Sequence, residues 1–215
     1  DMPIIVDPYD TTLTSVLNRD VMLYVPGAPI FEVEYRLKQA VRDFCRITQV
    51  WQQRNTEILT TVADQEEYDA GLPSGTELVA IISAYLADGT EVDVELPGEA
   101  EDQMPSESDT EWKIGVAGTD TVRLTPLPSA ADVVVTGTVA FAPNEESENL
   151  PTVIYNRWRT PIAHGAIAML MTQVGKPWSN PSQSVYHQGM FDSGAAECSA
   201  KTGPKRRRPL RVTTY

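Results

Sequence analysis

The sequence predicts an α+β protein in which a small helical bundle carries an inserted antiparallel β domain and ends in an extended C-terminal arm. Three observations predict it. Apolar residues recur at helical spacing in stretches near both ends of the chain, β-branched runs cut by turn residues fill the middle, and prolines with clustered arginines close it.

Residues 1–28 mix Asp, Pro, Thr and Gly with the short apolar patch Val21 to Val25 and read as an extended N-terminal segment, broken by Pro26-Gly27 and Pro29. The first helix is expected over 31–52: Val33, Leu37, Ala40, Val41, Phe44, Ile47 and Trp51 fall on one face, and Glu34, Lys38, Arg42, Arg46 and Gln49 on the other. Residues 56–149 read as a β-sandwich-like insertion of about six strands, at 57–62, 77–86, 91–96, 112–116, 121–125 and 133–141. Asp88-Gly89 predicts a type I′ hairpin. The stretch 91–111 holds nine acids and no Lys or Arg, and its part from 97 to 109 lacks periodicity and reads as a solvated loop.

Helical pattern returns at Leu150-Pro151, because proline is tolerated at a first helical position. A helix over 151–174 with a break near Pro161 follows, since a proline ring inside a helix removes one hydrogen bond and collides with the preceding turn. Its second piece, 162–174, is rich in small residues that suit close helix packing. Asn180-Pro181 predicts the cap of a third helix over 181–201, with the stripe Tyr186, Met190, Phe191, Gly194, Ala195 and Cys198. The helical domain thus takes in 29–55 and 150–202, with Leu37, Val41, Phe44, Trp51, Trp158, Trp178 and Phe191 as its packing residues. Residues 203–215 form the basic arm.

Charge divides the chain unevenly. Of 17 Lys and Arg and 30 Asp and Glu, residues 201–215 hold six bases and no acid, so the rest carries a formal charge of −19. An acidic body does not suit gripping nucleic acid, whereas the cationic terminus suits a separate partner. The arm residues Lys205, Arg206, Arg207, Arg208 and Arg211 alternate further on with Leu210, Val212 and Tyr215, a pattern fit for adding a strand to a partner or filling its pockets.

Motifs for several chemistries are missing. HExxH, GxSxG, GxxxxGK[ST] and GxGxxG do not occur, and the acid-rich stretch lacks the ligand spacing of a calcium loop. No catalytic, cofactor or metal site is assigned. His164 and His187 read as satisfied bundle histidines, and Cys45 and Cys198 as buried free thiols in a reduced compartment. With no ~20-residue apolar run and no signal pattern, a soluble, cytoplasmically made protein without a membrane partner is expected.

An ordered series of short features then resembles a known family. These are Phe44-Cys45 with Thr48 and Trp51, Tyr68 ahead of Leu72-Pro73, Leu124 with Pro126 and Pro128, and Phe141 with Pro143. Leu150-Pro151, His164-Gly165-Ala166, the run from Lys176 to Pro181, Phe191 and the basic arm follow. The chain resembles the head-to-tail adaptor, or connector, proteins of tailed bacteriophages, including the tail-tubular-protein-A-like group. That resemblance implies a structural virion protein of the neck, not an enzyme. It also implies a ring, typically of twelve subunits, seated under the portal protein, facing tail or nozzle proteins, and surrounding double-stranded DNA without specific binding. The arm would dock on the portal. Pro161 departs from the smoother second helix of the family. Three alternatives stay open on the residues alone: a tail-completion protein, a baseplate or host-glycan-binding module, and an enzyme whose site is assembled from distant residues.

Overall fold

In a computed structural model, residues 13–95, 112–129, 131–147 and 151–202 are described. The chain is α+β, with four helices and a curled seven-stranded sheet among the described residues.

The first helix, α1 (Leu13–Met22), stands within the segment expected to be extended over 1–28, of which residues 1–12 lie outside the described residues. Leu13, Val16, Leu17 and Val21 already recur at three- and four-residue steps; the compact run Val21 to Val25 masked that period by resembling a strand. Val21 and Val25 are fully buried, with Tyr24 N–H bonded to the Val21 carbonyl and Ala28 N–H to that of Val25. The intervening Leu23 and Tyr24 are exposed.

Helix α2 (Ile30–Thr48) buries Val33, Leu37, Ala40, Val41, Phe44, Cys45 and Thr48 along one stripe. It stops short of the expected 52. Gln49 takes the left-handed conformation at φ 50 and returns its N–H to the Cys45 carbonyl, which closes the helix. Trp51, expected on this helix, therefore opens a strand and meets Phe141 edge-on, with ring centroids 6.3 Å apart.

The strands are β1 (Trp51–Thr60), β2 (Glu67–Asp69), β3 (Thr76–Leu86), β4 (Glu91–Val94), β5 (Lys113–Val116), β6 (Thr121–Thr125) and β7 (Val134–Pro143). They join in the order β1-β7-β3-β4-β5-β6-β2. Three expectations change. The three-residue β2 is too short to show an alternating pattern, β1 starts five residues before position 56, and β4 and β5 pair in parallel rather than antiparallel. The hairpin between β3 and β4 forms where expected, but among its turn residues only Gly89 has positive φ, at +86. Gly89 N–H bonds to the Leu86 carbonyl and Leu86 N–H to that of Thr90, so the loop spans three residues with a glycine bulge, and a type I′ turn is ruled out. Central strand β7 is buried along most of its length. Gly137 on it is obligatory: an added Cβ would stand 2.0 Å from the Ser83 carbonyl oxygen of β3.

Helix α3 (Thr152–Met171) runs through Pro161 without the expected break. The missing amide bond and ring collision cost about 3 kcal/mol in isolation, and here tertiary packing offsets them. The Pro161 ring lies on Gly194 of helix α4 (Pro181–Thr202), so closely that a Cβ at Gly194 would stand 2.3 Å from that of Pro161. A Cβ added at Gly165 would likewise stand 2.6 Å from the Phe191 ring. Asn180 caps α4 as expected, its Oδ1 accepting from Gln183 N–H at 3.2 Å. The inward stripe of α4 is Ser184, His187, Phe191, Ala195 and Cys198, rotated from the expected one so that Tyr186 and Met190 face outward.

α3 packs against α1, α2 and α4, and α2 packs in turn on β7. Phe44 occupies the meeting point of three helices, with ring centroids 5.8 Å from Trp158 and 5.9 Å from Phe191. One continuous apolar core runs from there to Trp51, Phe141 and the sheet interior.

Candidate functional site

The side chains named from the sequence fall into two sets. Leu37, Val41, Phe44, Trp158 and Phe191 lie buried among the helices, Trp51 lies buried at the start of the sheet, and Trp178 is half-buried beyond the end of α3. The Trp178 indole donates to Gln173 Oε1 at 3.1 Å, and Gln173 Nε2 donates to Glu32 of α2 at 2.5 Å. These bonds tie the turn between α3 and α4 to the start of α2. The arm residues Lys205, Arg206, Arg207, Arg208, Leu210, Arg211, Val212 and Tyr215 lie outside the described residues, as does the acidic stretch 97–109.

Two ion-pair clusters fix the helices. Glu77 of β3 is almost wholly buried and accepts from Arg42 Nη2 at 2.6 Å and Arg46 Nε at 2.7 Å, which clamps α2 to the sheet. Burial pushes the Glu77 carboxyl up, but the two guanidinium hydrogen bonds and charges outweigh burial and leave it below the ordinary glutamate range. On α1, Asp20 pairs through both carboxylate oxygens with Arg159 of α3, whose Nη2 lies 2.6 Å from Oδ1. Both members are partly exposed, so this pair adds orientation more than stability.

The titratable groups that sequence reading kept apart meet in space. His164 of α3 and His187 of α4 approach through their Nδ1 atoms at 2.7 Å. Helices α3 and α4 run antiparallel about the turn near Lys176, and the two histidines sit almost equidistant from it; Ala168 and Ser184, bonded carbonyl to hydroxyl at 3.0 Å, do the same. That symmetry is the sequence signal that could have paired them. Tyr24 and Tyr186 stand edge-on to the His187 ring at 5.2 and 5.3 Å. An open groove of about 560 Å³ beside His164 is lined by Arg157, Pro161, Met190, Glu197 and Lys201 among others. Burial lowers the proton affinity of both rings, and charge on His164 lowers that of His187 further.

Cys45 and Cys198 are free and buried, as expected, and burial pushes both thiols up, away from the reactive thiolate. Among the described residues no group of three or more His, Cys, Asp or Glu could hold a metal ion, and no helix is long and apolar enough to cross a membrane.

The exposed large apolar side chains concentrate at the helical part. Leu23, Tyr24, Ile30, Phe31 and Tyr35 line the corner between α1 and α2, and Val174, Val185, Tyr186 and Met190 the turn and first half of α4. Large aromatic and aliphatic groups gathered in this way on a surface mark contact with other macromolecules.

No curated protein matches the chain. The family model for SU10 adaptor protein matches it over residues 11–213, from the first turn of α1 through the helices and sheet and into the arm. The order of short features read from the sequence and this near-complete match agree: the chain belongs to the SU10 adaptor protein family of bacteriophage head-to-tail adaptors.

Proposed function

We propose that the protein is a ring-forming neck component of the virion, about twelve copies of which join the portal vertex to the tail and surround the DNA exit channel. The observation that carries this reading is the family match over residues 11–213, which takes in the folded body and most of the arm. In this reading the helices form the packing unit of the ring, with 29–55 and 150–202 as one domain and the strands of 56–149 as an insert. The helical surface with Leu23, Phe31, Val174 and Tyr186 supplies apolar contact area of the kind that subunit interfaces cover.

Charge supports the remaining assignments. A body of formal charge −19 repels the phosphates of DNA, so a genome slides past it without being held by cation contacts. The arm, with Lys205, Arg206, Arg207, Arg208 and Arg211 around Leu210, Val212 and Tyr215, docks on the portal protein, and the opposite end of the ring receives the tail or nozzle protein. Tethering raises the arm's effective concentration at its partner once the body is seated. Deleting residues 203–215 is expected to abolish co-sedimentation of the protein with purified portal rings while leaving its circular dichroism unchanged. Undiminished co-sedimentation of the truncated chain would remove the arm from portal docking.

A further inference from the structure

The contact between His164 and His187 joins the two longest helices among the described residues through two ring nitrogens. Neutral rings form this bond in one way: one carries its proton on Nδ1 and donates, and the other presents a bare Nδ1 and accepts. A first added proton goes to the free Nε2 of the donor ring, which becomes a cation and donates more strongly. The second can only take the accepting Nδ1, which removes the acceptor and sets two cations face to face.

The surroundings give that second charge little relief. Tyr24, from the link between α1 and α2, and Tyr186 of α4 pack their phenol rings against the pair and bring no carboxylate to it. Across the groove beside His164 stand two cations, Arg157 and Lys201, and one carboxylate, Glu197, already bonded to Lys201. His187 itself is 3% exposed, so water is a poor substitute at that ring, whereas His164, half-buried, faces the groove.

We propose that His164 and His187 form a one-proton latch between α3 and α4, which holds the Tyr24 corner and the first half of α4 closed near neutrality and releases them when both rings are protonated. The latch lies beside the exposed apolar surface of Leu23, Val185 and Tyr186, so its opening loosens that surface while the core around Phe44, on the far side of Phe191, stays packed. Both rings are depressed by burial, so the closed state is complete above the ordinary histidine range and is lost as the pH falls through the lowered folded values.

The chain holds two histidines, so ring-nitrogen NMR of the full protein reads the pair directly. The expected spectrum near neutrality shows one ring as the Nδ1–H tautomer bonded to the other, and on acidification two coupled steps. Backbone amides of 184–191, corrected for intrinsic exchange, are expected to lose protection about tenfold more in the native chain than in a His187→Gln variant as the pH falls from about 7.5 to about 5. Two rings titrating independently as ordinary imidazoles, or equal loss of protection in both proteins, would overturn the latch. If the variant does not fold, the tautomers and titration of the native chain decide alone.

Discussion

The close crossing of α3 and α4 makes a sharp prediction, because two glycines on one helix should respond in opposite directions. Replacing Gly194 by Ala brings a Cβ to 2.3 Å from Pro161 Cβ and 2.8 Å from its Cγ. The proline ring cannot rotate away, so α4 must move outward by about an ångström and strip contacts from Phe191, Ala195 and Cys198. Overpacking costs about 1–3 kcal/mol and occasionally more, and a rigid ring 2.3 Å away puts this site at the upper end, against which alanine returns about 1 kcal/mol of helix propensity. A net loss of roughly 1–3 kcal/mol follows, or a Tm lower by about 2–12 °C for a chain of this length. Gly189, also on α4, has nothing within 4 Å of its added Cβ. There the propensity acts alone, and Gly189→Ala is expected to stabilise by about 1 kcal/mol. Urea denaturation of both variants beside the native chain measures the difference. Gly194→Ala as stable as Gly189→Ala would refute the packing described for this crossing.

Two further outcomes follow. Glu77→Gln should cost about 2–3 kcal/mol near neutral pH, because a buried carboxylate holding two guanidiniums becomes a neutral acceptor, the figure being kept low by the partial exposure of both arginines. The folded carboxyl of Glu77 is lowered, so its contribution is present above the ordinary glutamate range and is lost as the pH falls through the folded value; the gap between native and variant in denaturation titrations should therefore close in acid, and a constant gap would contradict the clamp. Cys45 and Cys198 should react with a disulfide reagent such as DTNB only as fast as the protein opens, and a rapid phase from either thiol in the native state would show that the α2 and α4 ends are not packed as described.

The sequence was most readable where one face of an element is wet and the other dry. α2 shows that contrast throughout, and its core stripe from Val33 to Phe44 follows from spacing alone. α4 shows it poorly, since Tyr186 and Met190 look like core residues and face outward, while Ser184 and His187 look like surface residues and are buried. Their hydrogen bonds to Ala168 and His164 make those burials tolerable, and such bonds depend on a partner helix that spacing along one helix cannot reveal. Pro161 misled for the same reason: a helix-breaking residue is held in place by a glycine thirty-three positions later. Trp51 misled through the backbone, because a left-handed Gln49 ended the helix where hydrophobic spacing would have continued it. The histidine pair was legible only through the antiparallel symmetry of α3 and α4, and the parallel β4–β5 pairing through nothing local, as those strands are separated by the acidic stretch. The adaptor assignment was legible because it rests on the order of many short features spread over nearly the whole chain, and the family match runs over residues 11–213.

Cryo-electron microscopy of the particle neck tests the proposed role most directly. The expected density is a closed ring of this chain between portal and tail, with helices packed subunit to subunit and the segment after Thr202 reaching the portal. Density for the chain only in a fibre or baseplate, with none at the portal vertex, would contradict it.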